Sequence, residues 1–266
     1  MTNSIIFFLN NYYKKVEFFK FDTEIFQSKK PITIEMQNFQ CHICFKIFKK
    51  FCGLPLTKIY RCCYLNRWVC ENCISEEHSI IPAIILKEWS FKKFPISKIA
   101  KEILIKWYCK PVIYIKNRDK ILGISTLIRV ASIYKRKIHK MFDMMKCEKS
   151  QNVIYEILGD YNYLILKEIL FILKDLCEIN EGSLILKMRD WMEKLKNHLT
   201  VECKVRNIFN TIFNQVCNYQ GGKCMMCMND ETLMGYDIEN VFYCNDCKKI
   251  FHRKCSAVHP CIINRQ

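Results

Sequence analysis

The eighteen cysteines of this 266-residue chain are not spread evenly along it. They gather at 41–73 and again at 203–261, and only Cys109, Cys147 and Cys177 fall in the long stretch between. Inside the clusters the spacing is regular: Cys41 and Cys44, Cys70 and Cys73, Cys224 and Cys227, Cys244 and Cys247, then His252 and Cys255, always with two residues between them. A Cys-x2-Cys turn aims two thiolates at one point, and a second such turn completes the tetrahedron of soft ligands that zinc prefers. Disulfides are rare inside cells, and no βαβ pattern surrounds the pairs to favour thiol redox chemistry. The chain is therefore expected to fold around metals, with distant pairs drawn together to close small loops.

In the first cluster, 25 residues separate the two Cys-x2-Cys pairs. Cys41, Cys44, Cys70 and Cys73 form the expected site, and Cys62 is expected as a further ligand. Cys52, Cys63, His42 and His78 read as filler or surface residues. In the second cluster three successive pairs point to interleaving. Cys224 and Cys227 would share one zinc with His252 and Cys255. Cys244 and Cys247 would share another with Cys261 and a fourth ligand, for which His259, close to Cys261, is the candidate and Cys203 and Cys217 are the rivals. The isolated Cys109, Cys147 and Cys177 read as buried apolar residues.

The middle of the chain reads as helices. Pro82 opens one that runs to Trp89. Ser97 is the expected N-cap of the next, with Ile99, Ile103 and Trp107 on one face. Over 120–146, Ile121, Ile124, Ile128, Ala131, Ile138, Phe142 and Met145 recur every three or four residues, interrupted by a polar gap near Lys135. The same period continues over 161–178 and 184–198, with Gly182 as the stop between them. Ahead of the first cluster, the patchy alternation of "FKFDTEIFQ" is a weak strand signal.

A formal charge of +16 points to acidic partners, but zinc-bound thiolates offset part of it and the lysines are dispersed over helix faces. No stretch reaches the roughly 18 apolar residues of a membrane span. The run at residues 5–9 is shorter than the roughly 7–15 residues of a signal-peptide core. The chain thus reads as soluble and intracellular. No phosphate-cradling glycine loop, Gly-x-Ser-x-Gly or His-Glu-x-x-His motif is present, and the Cys and His residues sit at ligand spacing, so no enzyme is expected. The basic residues lack a finger helix after the pairs, so nucleic acid is not expected either. Lys248, Lys249, Arg253 and Lys254, around Ile250 and Phe251, are the candidate contacts for an anionic membrane or an acidic partner. That arrangement carries the alternative reading, a phosphoinositide- or diacylglycerol-binding finger. A RING- or PHD-like module is a third reading, weakened by the missing final Cys-x2-Cys.

Taken together, Cys41/Cys44, the run from Cys62 to Cys73, Ile81-Pro82, Trp89/Phe91, Phe94-Pro95-Ile96-Ser97, and later Tyr163, Leu176, Gly182 and His198 resemble the Rubicon homology domain family. The resemblance covers about residues 38–261. It departs from the family pattern at Asn66 in place of Gly, at Ile74 in place of His, at Arg206 after Cys203 and at Asn264 after Cys261. His78 or His259 is then a candidate to complete a site. The resemblance implies a cytoplasmic module, peripheral on late endosomes, lysosomes or autophagosomes. It also implies binding to a late-endosomal Rab small GTPase in its GTP form and a role in autophagosome and endosome maturation or lysosome positioning. The expected fold is mainly α with small zinc-stapled β and loop modules, holding roughly two to four structural zinc ions. Residues 1–37 would form an extension, and 38–266 the domain: zinc knuckles at 38–80, helices at 81–215 and a cross-brace, FYVE- or RING-like zinc module at 216–266.

Overall fold

The computed structural model describes residues 32–202 and 221–261, apart from 52–53, 56, 111–112, 116–119, 146, 148–149, 166–169, 228, 245, 248 and 260. The expected strand at 19–27 lies outside them. In chain order the elements are β1 (Lys50–Phe51), β2 (Leu54–Pro55), β3 (Ile59–Cys62), β4 (Arg67–Cys70), β5 (Ile74–Ser79), α1 (Pro82–Glu88), β6 (Phe94–Ser97) and α2 (Lys98–Trp107). Then come β7 (Ile113–Tyr114), α3 (Ile121–Ile124), α4 (Thr126–Met144), α5 (Ser150–Leu158), a 3-10 turn at Gly159–Ile165, β8 (Leu170–Phe171), α6 (Leu173–Asn180) and α7 (Ser183–Asn197). A π-helical turn, His198–Glu202, follows. The last elements are β9 (Gly221–Gly222), β10 (Leu233–Met234), β11 (Val241–Tyr243), β12 (Ile250–His252) and α8 (Arg253–Ser256).

Among the described residues every sheet is an antiparallel pair of short strands. A two-stranded hairpin is at best marginal alone in water, so each must be held by something else. The chain divides into two compact units, one made of residues 1–128 and 169–180, the other of 129–168 and 181–266.

In the first unit, Phe48, Val69, Ile96, Ala100 and Leu104 bury their side chains together with Cys41, Cys62 and Cys70. The β3–β4 hairpin pairs Ile59 with Cys70 and Cys62 with Arg67. Its turn carries Asn66 at φ 51°, a left-handed conformation that Asn tolerates better than other non-glycine residues, so Asn66 can stand where the family pattern has Gly. Pro82 opens α1 as expected, and Trp89 closes it at φ 50° with its ring edge-on to Phe91. Ser97 caps α2 by accepting the Ala100 N–H at 3.3 Å. The buried face of α2 is nevertheless Ala100 and Leu104, while Ile99 is 44% exposed. The strand and knuckle cluster meets the helix one residue round from the Ile99, Ile103 and Trp107 stripe.

The single helix expected over 120–146 is two, because Ser125 is extended (φ −127°, ψ 126°) between α3 and α4. Ile124, expected on the core face, is exposed, and Lys135, expected in a polar gap, is 1% exposed. The helix expected over 161–178 is likewise replaced by the 3-10 turn, by β8 paired to β7, and by α6. An apolar run such as Leu170-Phe171-Ile172-Leu173 fits a buried strand as well as a helix, and pairing with Ile113 and Tyr114 decides it. The second unit holds α7, whose Leu184, Met188, Trp191 and Leu195 are buried at the helical period. Gly182 sits between α6 and α7 at φ 81°, the left-handed stop its residue type suggested. None of the three isolated cysteines is buried as expected: Cys109 is exposed, and Cys147 and Cys177 are half-buried. The Cys147 sulfur lies 3.4 Å from His198 Nε2. Among the described residues no helix is long and apolar enough to cross a membrane.

Candidate metal centres

Three groups of four ligand atoms, each group within 4.8 Å, form among the described residues: Cys41, Cys44, Cys70, Cys73; Cys224, Cys227, His252, Cys255; and Cys244, Cys247, His259, Cys261. Sulfurs bound to one tetrahedral zinc at about 2.3 Å stand about 3.8 Å apart. Cys44 and Cys70 sulfurs are 3.6 Å apart, so the donor set has the right type and spread. All donors in each group belong to protein side chains, and four of them leave no position open for a reacting water.

The first group is built by two tight turns. After Cys41 the chain reverses through an N–H bond from Phe45 to the Cys41 carbonyl at 2.9 Å, with Phe45 at φ 58°. Strand β4 delivers Cys70, whose carbonyl accepts the Cys73 N–H at 3.0 Å. The Cys70 N–H in turn points at the Cys41 sulfur at 3.4 Å. Burial pushes the Cys41 thiol up, but N–H groups of Cys44, Cys70 and Ile43 outweigh it and bring it down to about 6. Burial, and then the neighbouring thiols, push Cys73 strongly up. One sulfur of the group is thus already disposed to be a thiolate, while Cys44 and Cys73 beside it are held up. A bound cation removes that conflict.

The two remaining groups interleave along the chain. The first and third pairs make one, and the second pair joins His259 and Cys261 in the other. The β11–β12 hairpin explains this. It pairs Val241 with His252 and Tyr243 with Ile250, so Cys244 leaves one end of the hairpin and His252 the other. Met225 N–H reaches the Ile250 carbonyl at 3.4 Å, and His252 N–H points at the Cys224 sulfur at 3.4 Å. His252 Nδ1 then lies 3.3 Å from the Cys227 sulfur and 3.9 Å from that of Cys255. Short helix α8 ends, and the His259 N–H bonds to the Ser256 carbonyl at 3.1 Å. This turn brings His259 Nε2 to 3.3 Å from the Cys247 sulfur, with its ring 4.2 Å from that of Phe251. Burial pushes Cys224 up, but N–H groups of Cys227, His252 and Met226 bring it down to about 6. The Cys247 N–H, acting against burial, lowers Cys244 to about 6 as well. Burial, then the thiols of Cys224 and Cys227, push Cys255 up to about 11.

Of the residues singled out in the sequence, Cys62 joins none of these groups. Its sulfur accepts the Ser97 N–H at 3.2 Å and lies 3.4 Å from the Ser97 hydroxyl, which itself caps α2, so the thiol links β3 to β6. His78 is exposed, pairs in strand register with Pro95 and lies in none of the three groups. Cys203, Cys217 and Lys248 lie outside the described residues. Lys249 and Lys254 are exposed. Arg253 turns back instead, donating to the carbonyls of Glu239, Ile238 and Val241 at 3.0, 2.5 and 3.4 Å. Ile250 and Phe251 are buried with Cys224, Leu233, Val241 and Cys244. That leaves only four non-cysteine side chains in this buried cluster.

The chain is similar to known proteins. The family model described as Rubicon Homology Domain matches residues 60–265. The human "Protein associated with UVRAG as autophagy enhancer" is 25% identical over 240 residues, covering 88% of this chain and 33% of that protein. The mouse "Run domain Beclin-1-interacting and cysteine-rich domain-containing protein" is 20% identical over 249 residues, covering 87% and 23%. The human "Pleckstrin homology domain-containing family M member 3" is 25% identical over 229 residues, covering 85% and 28%. The chain therefore spans about a third or less of the length of the curated relatives it matches.

Proposed function

Since the chain belongs to the Rubicon homology domain family, we propose that it is a zinc-stapled protein-interaction module of autophagy and endosome–lysosome trafficking. Its partner in this reading is a late-endosomal Rab GTPase in the GTP form, and it catalyses nothing. Each of the three groups takes one structural zinc, and the two interleaved groups make a FYVE- or RING-like cross-brace. The domain runs over 38–266, with 1–37 as an extension, and it works in the cytoplasm on the surface of late endosomes, lysosomes or autophagosomes.

The observation that carries the reading is the gathering of four Cys or His ligand atoms within 4.8 Å of one another in each of three groups, in a chain that matches the Rubicon Homology Domain. Closed sites supply rigidity: each structural zinc contributes about 10–16 kcal/mol toward folding, far more than two-stranded hairpins and a small buried cluster provide. With zinc bound, the all-cysteine group and the two groups of three cysteines and a histidine lower the formal charge of +16 by about four. The surface remains basic, which suits an acidic protein face. The lipid-finger alternative is weaker, because Phe251 is buried and Arg253 is spent on loop carbonyls.

The test is a pulldown with late-endosomal Rab locked in the GTP or GDP state. Selective capture of the GTP form supports the reading, and equal or absent capture of both forms refutes it.

A further inference from the structure

The two histidine-containing groups do not hold their imidazoles in the same way. In the C-terminal module, Asp230 pairs with Lys223, and Asp237 and Glu239 pair with Lys137 at 3.2 and 3.1 Å. Glu231 has a different neighbour. Its Oε2 lies 3.6 Å from Nε2 of His252, while Nδ1 of the same ring faces the sulfurs of Cys227 and Cys255. The imidazole thus spans a sulfur group on one side and a carboxylate on the other. His259 is held otherwise: it is 6% exposed and its ring packs on Phe251.

We propose that Glu231 is a positioning residue for the centre formed by Cys224, Cys227, His252 and Cys255. A neutral imidazole offers a lone pair from one nitrogen only when the other carries the proton. A carboxylate 3.6 Å from Nε2 favours the tautomer with the proton on that nitrogen and leaves the Nδ1 lone pair facing the sulfurs. The backbone has already set the ring's place, through the Val241–His252 register and the His252 N–H to Cys224. What remains for Glu231 is the tautomer and the ring rotation. This inference rests on reading the group as a zinc site. The competing view is that Glu231, with its side chain 68% exposed, makes a surface contact of no consequence.

The experiment uses the full zinc-loaded chain, competed against a chelator of known affinity, in wild type, Glu231→Ala and Glu231→Gln. Alanine should weaken one of three zinc equivalents about 10- to 100-fold, with the other two unmoved. Glutamine, which keeps an oxygen facing Nε2, should lose less. In nitrogen-15 spectra His252 should be the Nε2–H tautomer in wild type, with that proton exchanging faster in the alanine variant. Adding Glu231→Ala to Cys224→Ser, which already lacks this centre, should change nothing further in the remaining equivalents. Unchanged affinities in Glu231→Ala overturn the proposal, as does an equal loss at all three equivalents. A wild-type chain that takes up only the other two zincs refutes instead the metal reading on which it rests.

Discussion

Replacing His259 with alanine should open the centre it shares with Cys244, Cys247 and Cys261 while sparing the other two. A structural zinc is worth about 10–16 kcal/mol across four ligands, so one ligand carries roughly 2.5–4 kcal/mol. That corresponds to about a 10²- to 10³-fold loss of affinity at this centre. The ring also packs on Phe251 at 4.2 Å, and losing such a contact costs about 0.5–1.5 kcal/mol more. His259→Cys separates the two contributions: it restores a soft ligand without the ring and should recover most of the affinity. The assay is chelator competition on the full chain with zinc counted by elemental analysis. Two tight equivalents and one weakened one are expected in the alanine variant. Three equivalents at wild-type affinity would mean that His259 only packs against Phe251, and the ligand assignment would fall.

Cys41→Ser should remove one zinc and leave the two centres of the second unit loaded, while Cys224→Ser should do the reverse, as read by zinc content per chain. Gly182→Ala meets no steric contact but forces a side chain into φ 81°, so a loss of about 1 kcal/mol should appear in chemical denaturation. Ser97→Ala removes the hydroxyl that caps α2 and faces Cys62, while the Ser97 N–H still reaches the Cys62 sulfur. It should cost about 1–2 kcal/mol by the same measurement, with zinc content unchanged because Cys62 is in none of the three groups. Arg253→Ala should loosen the 238–241 loop without changing flotation with anionic liposomes, since its guanidinium is already engaged with carbonyls.

What could be read in the sequence was whatever depends on neighbours along the chain. A Cys-x2-Cys turn is local, and so are the Pro82 start, the Ser97 cap and the Gly182 stop; each appears where its residue type placed it. The interleaving was read from the succession of three pairs, and the β11–β12 hairpin, with Cys244 and Cys247 in its loop, supplies the cause by putting Cys244 and His252 at opposite ends. His259 was the candidate over Cys203 and Cys217 only through its nearness to Cys261 in sequence; what brings it to Cys247 is the turn after α8, with Phe251 beneath its ring. Cys62 looked like a ligand because only the packing of β3 against β6 brings Ser97 to it. Glu231 gave no signal, for an acidic residue in a polar loop acquires a role only when a ring arrives beside it. The apolar run at 170–173 was ambiguous in principle, and its strand partner lies more than fifty residues earlier.

The central claim is that three closed metal centres hold this fold together. Native mass spectrometry of the purified chain, before and after chelation and alongside its thermal transition, tests it most directly. Three zinc ions per chain are expected, with the cooperative transition lost when they are stripped. A metal-free chain that melts with the same sharp transition would contradict it.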